Sequence, residues 1–189
     1  MTVRDLAQLG TPLLRQRSAE VEPGALASPA LQSLMDDLVE TMREVGGAGL
    51  AAPQVRVLLR VVVIEVAANE RYPHFPEIPL TILVNPELEL VSREPGALAD
   101  DEVVHLYEGC LSVAGLRGRV RRARRARVRA LDRAGRPVTL DWDGVRAAVL
   151  QHEIDHLDGV LFVDRADPRT LCFQREYDRW VPAAARYVE

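Results

Sequence analysis

Two segments of the chain show the apolar spacing of an α-helix. In the first, apolar side chains recur every three or four residues between positions 31 and 45, on one face of an amphipathic helix. Ser28 suits the N-cap and Pro29 the first helical position, while Gly46 and Gly47 end the pattern. The sequence therefore predicts a helix after Ser28 whose buried face contains Leu31, Leu34, Leu38, Met42 and Val45.

The second helical segment runs from a potential cap at Asp143 to Gly159 and is apolar around most of its circumference. Its polar side is narrow, marked by Gln151, Asp155 and Asp158. A helix with this pattern is central and buried. Two adjacent stripes run along it: Val145, Val149, His152 and His156 form one, and Ala147, Leu150, Ile154 and Leu157 form the other.

Runs rich in valine and isoleucine, separated by turn residues, predict the β-strands. They cover residues 58–66, 80–84 and 87–91, and Asn85-Pro86 separates the last two. Residues 120–131 and 138–142 predict a hairpin about a turn at 132–136. Two loops rich in proline, glycine or acidic residues are predicted at 72–79 and 92–102, and a last helix around 171–177.

These elements predict an α+β fold in which mostly antiparallel sheets pack around the second helix. The chain has 189 residues, of which 48% are hydrophobic and 28% charged, as in a globular domain. No repeat, low-complexity segment or linker divides it. We therefore predict one domain over residues 1–189, ending in a helical segment at about 170–186.

Composition also predicts the compartment. No apolar run approaches the ~20 residues needed to cross a bilayer, and the N-terminus lacks the apolar core of a signal peptide. The two cysteines, Cys110 and Cys172, suit a reducing environment. These features predict a cytoplasmic protein.

Every one of the 24 basic residues is arginine, and eight of them lie between Arg117 and Arg129. Such a cluster can contact RNA or phosphate. The net charge of −4 and the alternation of arginine with apolar residues from Arg127 to Leu131 favour a solvated strand face instead. The cluster therefore gives little support to nucleic-acid binding.

The second helix contains the pattern His-Glu-x-x-His at residues 152–156. Residues four apart share a helix face, so His152 and His156 can bind one metal ion, with Glu153 beside them as a general base. Two hydrogen-bonded core histidines are the alternative. A metal site needs a third ligand, and both Cys110 and Glu176 remain candidates on spacing alone.

The segment from Gly47 to Gln54 consists mostly of glycine and alanine and ends in the amide side chain of Gln54. Small residues let the backbone approach a bound ligand, and the side chain of Gln54 can donate to a developing oxyanion. A helix-terminating turn would account for the glycines but leaves the Ala-Ala-Pro-Gln ending unexplained.

Together, three segments resemble the signature motifs of the peptide deformylase family, in the family's order. Residues 47–54 are similar to Gly-φ-Gly-φ-Ala-Ala-x-Gln, where φ is hydrophobic; residues 108–112 to Glu-Gly-Cys-φ-Ser; and residues 151–156 to Gln-His-Glu-φ-Asp-His. The likeness extends from about residue 6 to residue 165. One departure is Ala114, where the family usually has proline, and it predicts a looser loop after Cys110.

The resemblance implies a metal-dependent hydrolase that removes the formyl group from the N-terminal methionine of nascent polypeptides and releases formate. It implies one divalent metal ion per chain, bound by Cys110, His152 and His156. Ferrous iron is expected natively, with zinc, nickel or cobalt as replacements in the purified protein. Glu153 would be the general base, with the Gln54 side chain and the Leu111 N–H as oxyanion donors. The substrate-binding residues it implies are Ala48, Gly49, Leu106, Glu108, Gly109, Arg117, Val145, Ala148 and Val149.

The same resemblance implies ion pairs of Glu108 and Asp155 with Arg122, which would fix the ligand geometry. It also implies formylmethionyl nascent peptides as partners, with transient ribosome contact and no membrane or sequence-specific nucleic acid. Two other functions stay open on the residues alone. One is a zinc endopeptidase with Glu176 as third ligand, and the other is a non-catalytic module that binds RNA or the ribosome through the arginine cluster.

Overall fold

The computed structural model of the protein describes residues 2–67, 76–94 and 96–188. Within them lie five α-helices, nine β-strands and five short 3-10 helices. The helices are α1 (Pro29–Glu44), α2 (Gly144–Leu157), α3 (Phe162–Arg165), α4 (Gln174–Trp180) and α5 (Ala183–Arg186). The strands are β1 (Gly49–Ala51), β2 (Val61–Val66), β3 (Ile78–Leu90), β4 (Val103–Cys110), β5 (Val113–Ala123), β6 (Arg125–Leu131), β7 (Pro137–Asp143), β8 (Cys172–Phe173) and β9 (Tyr187–Val188). The 3-10 helices are Pro12–Arg15, Pro23–Ala25, Ala52–Val55, Asp100–Glu102 and Pro168–Thr170.

The strands form two antiparallel sheets, which confirms the predicted α+β fold. One sheet has the order β1-β2-β3-β6-β7 and the other the order β8-β5-β4-β9. Helix α2 contacts strands of both sheets. Eleven of its 14 residues are buried, as its apolar circumference predicts.

Strand β2 lies between two cores. Val62, Ile64 and Val66 pack toward α2, whereas Val61 and Val63 pack toward α1 on the opposite face of the sheet. Side chains alternate between the two faces of a strand, so a strand covered on both faces must be apolar throughout. This explains why the valine-rich run shows no polar alternation.

Helix α1 begins as predicted, with the Ser28 side chain accepting a hydrogen bond from the Leu31 N–H at 3.3 Å. Asp143 occupies the N-cap position of α2 but forms no side-chain cap. Among the helices of the described residues, none is long and apolar enough to span a bilayer.

Strand β3 corrects one prediction, because it continues through the predicted break at Asn85-Pro86. Asn85 takes a left-handed φ of 51°, and the register with β6 shifts between Val84 and Glu87. The Asn85 side chain forms two hydrogen bonds with the backbone of Val21, at 2.8 and 2.9 Å. A β-bulge thus accommodates Asn85 and Pro86, which cannot continue the regular hydrogen bonding between the strands.

The predicted strand over residues 120–131 is also wrong, because it is divided at Arg124 between the two sheets. Its second part forms the predicted hairpin, with Leu131 opposite Pro137. Residues 72–75 of the predicted proline-rich loop lie outside the described residues. Ala114 lies within β5 rather than in a loop, because Val113 already pairs with Cys110.

The C-terminal segment is not the single helix predicted at about 170–186. Helix α4 ends at Trp180, and Pro182 separates it from α5. Proline lacks an N–H and disfavours helix in the residue before it, so the helix cannot run through this position. The chain then returns to the smaller sheet, where Tyr187 pairs with Leu106 of β4.

Candidate metal centre

Three potential metal ligands converge between β4 and α2. His152 and His156 lie one turn apart on α2, with ring centroids separated by 5.1 Å. Cys110 is the last residue of β4, and its Sγ lies 3.2 Å from Nε2 of His156. The ligand atoms of the three residues all lie within 4.8 Å of one another. One sulfur and two imidazoles at these separations form a donor set suited to a divalent transition metal.

The surroundings of Cys110 supply donors to its sulfur. The Ser112 N–H donates to Sγ at 3.4 Å, and Nε2 of Gln54 lies 3.6 Å from it. The Ala51 N–H donates to Oε1 of Gln54 at 2.9 Å, which turns the amide NH₂ toward Cys110. Nε2 of Gln54 also donates to the Ser112 hydroxyl at 3.2 Å. The short turn after Ala51 therefore fixes a hydrogen-bond donor beside the candidate ligand.

A buried charge network supports His152. Glu108 accepts from Arg122 at 2.7 and 2.9 Å and lies 2.8 Å from Nδ1 of His152. Arg122 also donates to Asp155. Arg165, which is more exposed, donates two hydrogen bonds of 2.7 Å to the same carboxylate. The predicted ion pairs of Glu108 and Asp155 with Arg122 are confirmed. Because Nδ1 of His152 is held by a carboxylate, Nε2 points to the other ligands.

The electrostatics of this network follow from burial and pairing. Burial alone would raise the pKa of the Glu108 carboxyl, but the Arg122 guanidinium and the His152 ring lower it to about 2. Desolvation disfavours the charged form of His152, yet its hydrogen bonds to Cys110 and Glu108 raise its pKa well above the ordinary value. Burial, reinforced by His152, lowers the pKa of His156 and so favours its neutral form. A metal binds a deprotonated ring nitrogen and releases the proton from a ligand such as His152.

Glu153 lies on α2 beside the ligands and contacts β1. A Cβ atom added to Gly49 would overlap Oε1 of Glu153 and lie 2.6 Å from its Cδ, so a larger residue here would displace the carboxyl. Burial raises the pKa of the Glu153 carboxyl to about 7. Its Oε2 is buried and has no hydrogen-bond partner among the described residues. A buried carboxyl with an unused oxygen is available to exchange a proton.

Cys110, His152 and Glu153 line a cavity of about 760 Å³. Among the predicted substrate-binding residues, Val145 is the exception: it packs in the core, four positions before Val149 on the same helix. His156, a predicted ligand, lies behind the cavity wall at 1% exposure. The predicted residues that line the cavity are Ala48, Gly49, Gln54, Leu106, Glu108, Gly109, Cys110, Leu111, Arg117, Ala148, Val149, His152 and Glu153.

One side of the cavity was missed by the sequence analysis. It consists of Tyr107 and four residues near the C-terminus, Gln174, Tyr177, Asp178 and Arg186. These four belong to no motif. Pairing of β8 with β5 and the return of β9 to the edge of β4 bring their segment to the cavity. The signal for this side of the cavity in the sequence is one aromatic residue, Tyr177, close to arginines.

Glu176, the other candidate ligand, is not part of the ligand group. It is exposed on α4 and accepts a hydrogen bond from Nε1 of Trp180 at 2.9 Å. Among the described residues, the group that could hold a metal consists of Cys110, His152 and His156. This geometry leaves the peptidase hypothesis without its third ligand.

Two exposed arginines of the cluster pair with carboxylates on neighbouring strands. Arg127 pairs with Asp141 at 3.1 Å and with Glu89 at 3.9 Å, and Arg129 lies 3.7 Å from Glu87. These partners come from the neighbouring strands β3 and β7. The arrangement favours a solvated strand face over a phosphate-binding surface.

Comparison with known proteins agrees with this geometry. The sequence profile of the polypeptide deformylase family matches residues 3–172. The chain is 42% identical to a peptide deformylase of Leptospira biflexa over 166 residues, covering 87% of this chain and 88% of that protein. It is also 42% identical to peptide deformylase 2 of Pseudomonas putida, covering 86% and 87%. A structure of the class I type b peptide deformylase of Acinetobacter baumannii with Met-Ala-Ser bound has a TM-score of 0.79 and 38% identity, covering 87% of this chain and 98% of that one. An actinonin-bound structure of the same enzyme has a TM-score of 0.76 and 36% identity, covering 88% and 100%.

Proposed function

This chain belongs to the polypeptide deformylase family, and we propose that Cys110, His152 and His156 hold the metal with which it works. The family's enzymes are hydrolases that remove the formyl group from N-formylmethionine of nascent polypeptides, and this chain is one of them. The observation that carries the ligand assignment is the convergence of the three ligand atoms within 4.8 Å. Three protein ligands with an open position are typical of catalytic rather than structural metal sites.

The donor set fits a divalent ion in several respects. Burial favours the neutral imidazole of His156, Glu108 orients His152, and two N–H donors lie beside Sγ of Cys110. When bound, the metal supplies Lewis acidity for the formyl oxygen and lowers the pKa of a coordinated water. We propose ferrous iron as the native ion, with zinc, nickel or cobalt able to replace it, because thiolate and imidazole ligands accept all four.

We assign proton transfer to Glu153. Its carboxyl is buried against Gly49, lines the cavity and has one oxygen without a partner among the described residues. It can therefore take a proton from the attacking water and return it to the departing methionine amine, so that formate and a free N-terminus result. Because Glu153 follows a candidate ligand directly, small movements of α2 would displace both groups together.

We assign stabilisation of the oxyanion to the Gln54 side chain and the Leu111 N–H. The amide of Gln54 is 2% exposed, held at Oε1 by Ala51, and presents its NH₂ to the cavity. A donor fixed before the reaction costs no reorganisation when charge develops. Leu111 follows Cys110 directly and lines the same cavity.

The methionine side chain is assigned to the apolar part of the cavity. Leu106 and Ala148 pack against each other there, and Val149 and Val145 continue the apolar surface along α2. Ala48 and Gly49 leave room for substrate backbone opposite this surface. Glu108 and Gly109 lie at the end of β4, and Arg117 extends over Gly109, where it can contact the peptide chain.

We further propose a cytoplasmic location and transient contact with the ribosome, because nascent formylated chains emerge there and a free thiol ligand requires reducing conditions. We also propose that residues 1–189 form one catalytic domain. The test is formate release from formyl-Met-Ala-Ser by anaerobically purified protein, with metal counted per chain. A protein that holds about one metal ion per chain and releases no formate would contradict the proposal.

A further inference from the structure

The C-terminal segment forms one side of the cavity. Tyr177, Asp178 and Arg186 line the same space as Cys110 and Glu153, although they lie beyond residue 172, where the family match ends. Pairing of Tyr187 with Leu106 and of Val188 with His105 holds the segment at the edge of β4. This side of the cavity therefore comes from residues outside the catalytic motifs.

Tyr177 is the centre of this side. Its ring lies 5.4 Å from the ring of Tyr107, with an interplanar angle of 53°. The guanidinium carbon of Arg186 lies 4.6 Å from the centroid of the Tyr177 ring, and that of Arg117 lies 5.6 Å from it. Stacking on one aromatic ring brings two cations together at the cavity wall.

Neither guanidinium has a carboxylate partner among the described residues. Arg117 donates through Nε to Oε1 of Gln174 at 2.6 Å, and Arg186 donates through Nε to the carbonyl of Val181 at 3.2 Å. Asp178, the nearby acid, instead accepts from Gln174 at 2.9 Å. Each guanidinium thus keeps unused N–H donors, which suit a carboxylate.

The position along β4 indicates which part of a substrate reaches this wall. Tyr107, which contacts Tyr177, precedes Cys110 by three residues, about 10 Å in an extended strand. The third residue of an extended formylated peptide lies at a similar distance from its formyl carbon. Alternate side chains of an extended chain point the same way, so the third residue faces the same side as methionine.

We propose that Arg186 and Tyr177 form a subsite for an acidic side chain at the third residue of the formylated peptide. This inference rests on the proposed function. It predicts a preference among formylmethionyl peptides that is set by the C-terminal segment rather than by the metal-binding motifs. The preference should weaken with added salt, because the charges are only partly buried.

The test compares two amidated peptides, formyl-Met-Ala-Glu and formyl-Met-Ala-Lys, on the metal-loaded full chain at low salt. The ratio of their kcat/KM values within each variant cancels any general loss of activity. We expect the wild-type ratio to favour glutamate and Arg186→Gln to lower it about two- to fivefold, the range of partly exposed charge pairs. The change should lie mainly in KM, since the subsite binds a part of the substrate remote from the reaction.

Two further variants fix the sign and the location of the effect. Asp178→Asn removes the acid at the wall and should raise the ratio. Arg179→Gln makes the same charge change as Arg186→Gln on an exposed side chain that stacks on Trp180 instead, and should leave the ratio unchanged. Equal ratios in wild type and Arg186→Gln, or an equal fall in Arg179→Gln, would overturn the subsite while formate release continued. Absence of formate from every peptide would overturn the proposed function and this inference with it.

Discussion

Gly49 lies directly against the carboxyl group of Glu153. A methyl group at position 49 would overlap Oε1 and approach Cδ to 2.6 Å, well inside contact distance. The absence of a side chain at Gly49 in β1 thus determines where the Glu153 carboxyl on α2 can lie. Residues 47–54 therefore affect catalysis by fixing the position of Glu153 as well as by leaving room for the substrate.

We expect Gly49→Ala to lose about 10²-fold in kcat/KM, because a catalytic group displaced by about 1 Å loses activity on this scale. Stability should fall by about 1–3 kcal/mol from overpacking. Formate release, urea unfolding and bound metal would be measured together. Gly24→Ala is the matched control, since an added Cβ there has nothing within 4 Å. Normal turnover by Gly49→Ala would mean that Glu153 has more freedom than the contact implies.

Glu153→Gln should keep its metal and lose at least about 10²-fold in turnover, the scale of general-base catalysis. Glutamine has nearly the same shape but cannot accept the proton. The measurement is formate release at equal metal content, with circular dichroism to check the fold. Near-normal release from the fully loaded variant would remove Glu153 from this role.

Gln54→Ala should lower kcat far more than it raises KM, because an oxyanion donor acts mainly in the transition state. The expected loss is about 10²–10³-fold in kcat. Steady-state kinetics with formyl-Met-Ala-Ser separate the two constants. If only KM changes, Gln54 contributes to substrate binding alone.

Cys110→Ser should lose most of its metal, whereas Glu176→Gln should retain it. A serine hydroxyl is a poor and usually protonated ligand compared with a thiolate, and Glu176 is an exposed residue paired with Trp180. Both variants would be dialysed against the same weak chelator before the metal is counted. Circular dichroism is the control, because loss of metal can itself unfold a domain. Full metal in Cys110→Ser would contradict the ligand assignment.

Arg122→Met should destabilise the protein by about 3–5 kcal/mol, since it leaves the buried carboxylate of Glu108 without its main partner. The matched control is Arg127→Met. Arg127 pairs with two exposed carboxylates on the neighbouring strands, and its loss should cost less than about 1 kcal/mol. Urea unfolding measures both free energies. Similar small losses in the two variants would mean that the buried network contributes little to stability.

Elements that depend on contacts between neighbouring residues could be predicted from the amino-acid sequence. The spacing of apolar residues defines α1 and α2, and Ser28 sets the start of α1 because its cap involves residues three apart. The His152–His156 pair follows from the same periodicity, since one helical turn brings both rings to one face. The hairpin after residue 131 is local as well, formed by a short turn between adjacent strands.

Features that join distant parts of the chain became visible in the folded structure. The approach of Cys110 to His156 spans 46 positions, and no helical or strand periodicity encodes it; the resemblance of the motifs implied the pairing without giving its geometry. Spacing alone left Cys110 and Glu176 equal as candidate ligands, and the packing of β4 against α2 separated them. The placement of Tyr177 and Arg186 at the cavity depends on pairing of β8 with β5 and of β9 with β4. Local patterns record which face of an element is buried, whereas the partner that buries it is selected by the packing of the whole chain.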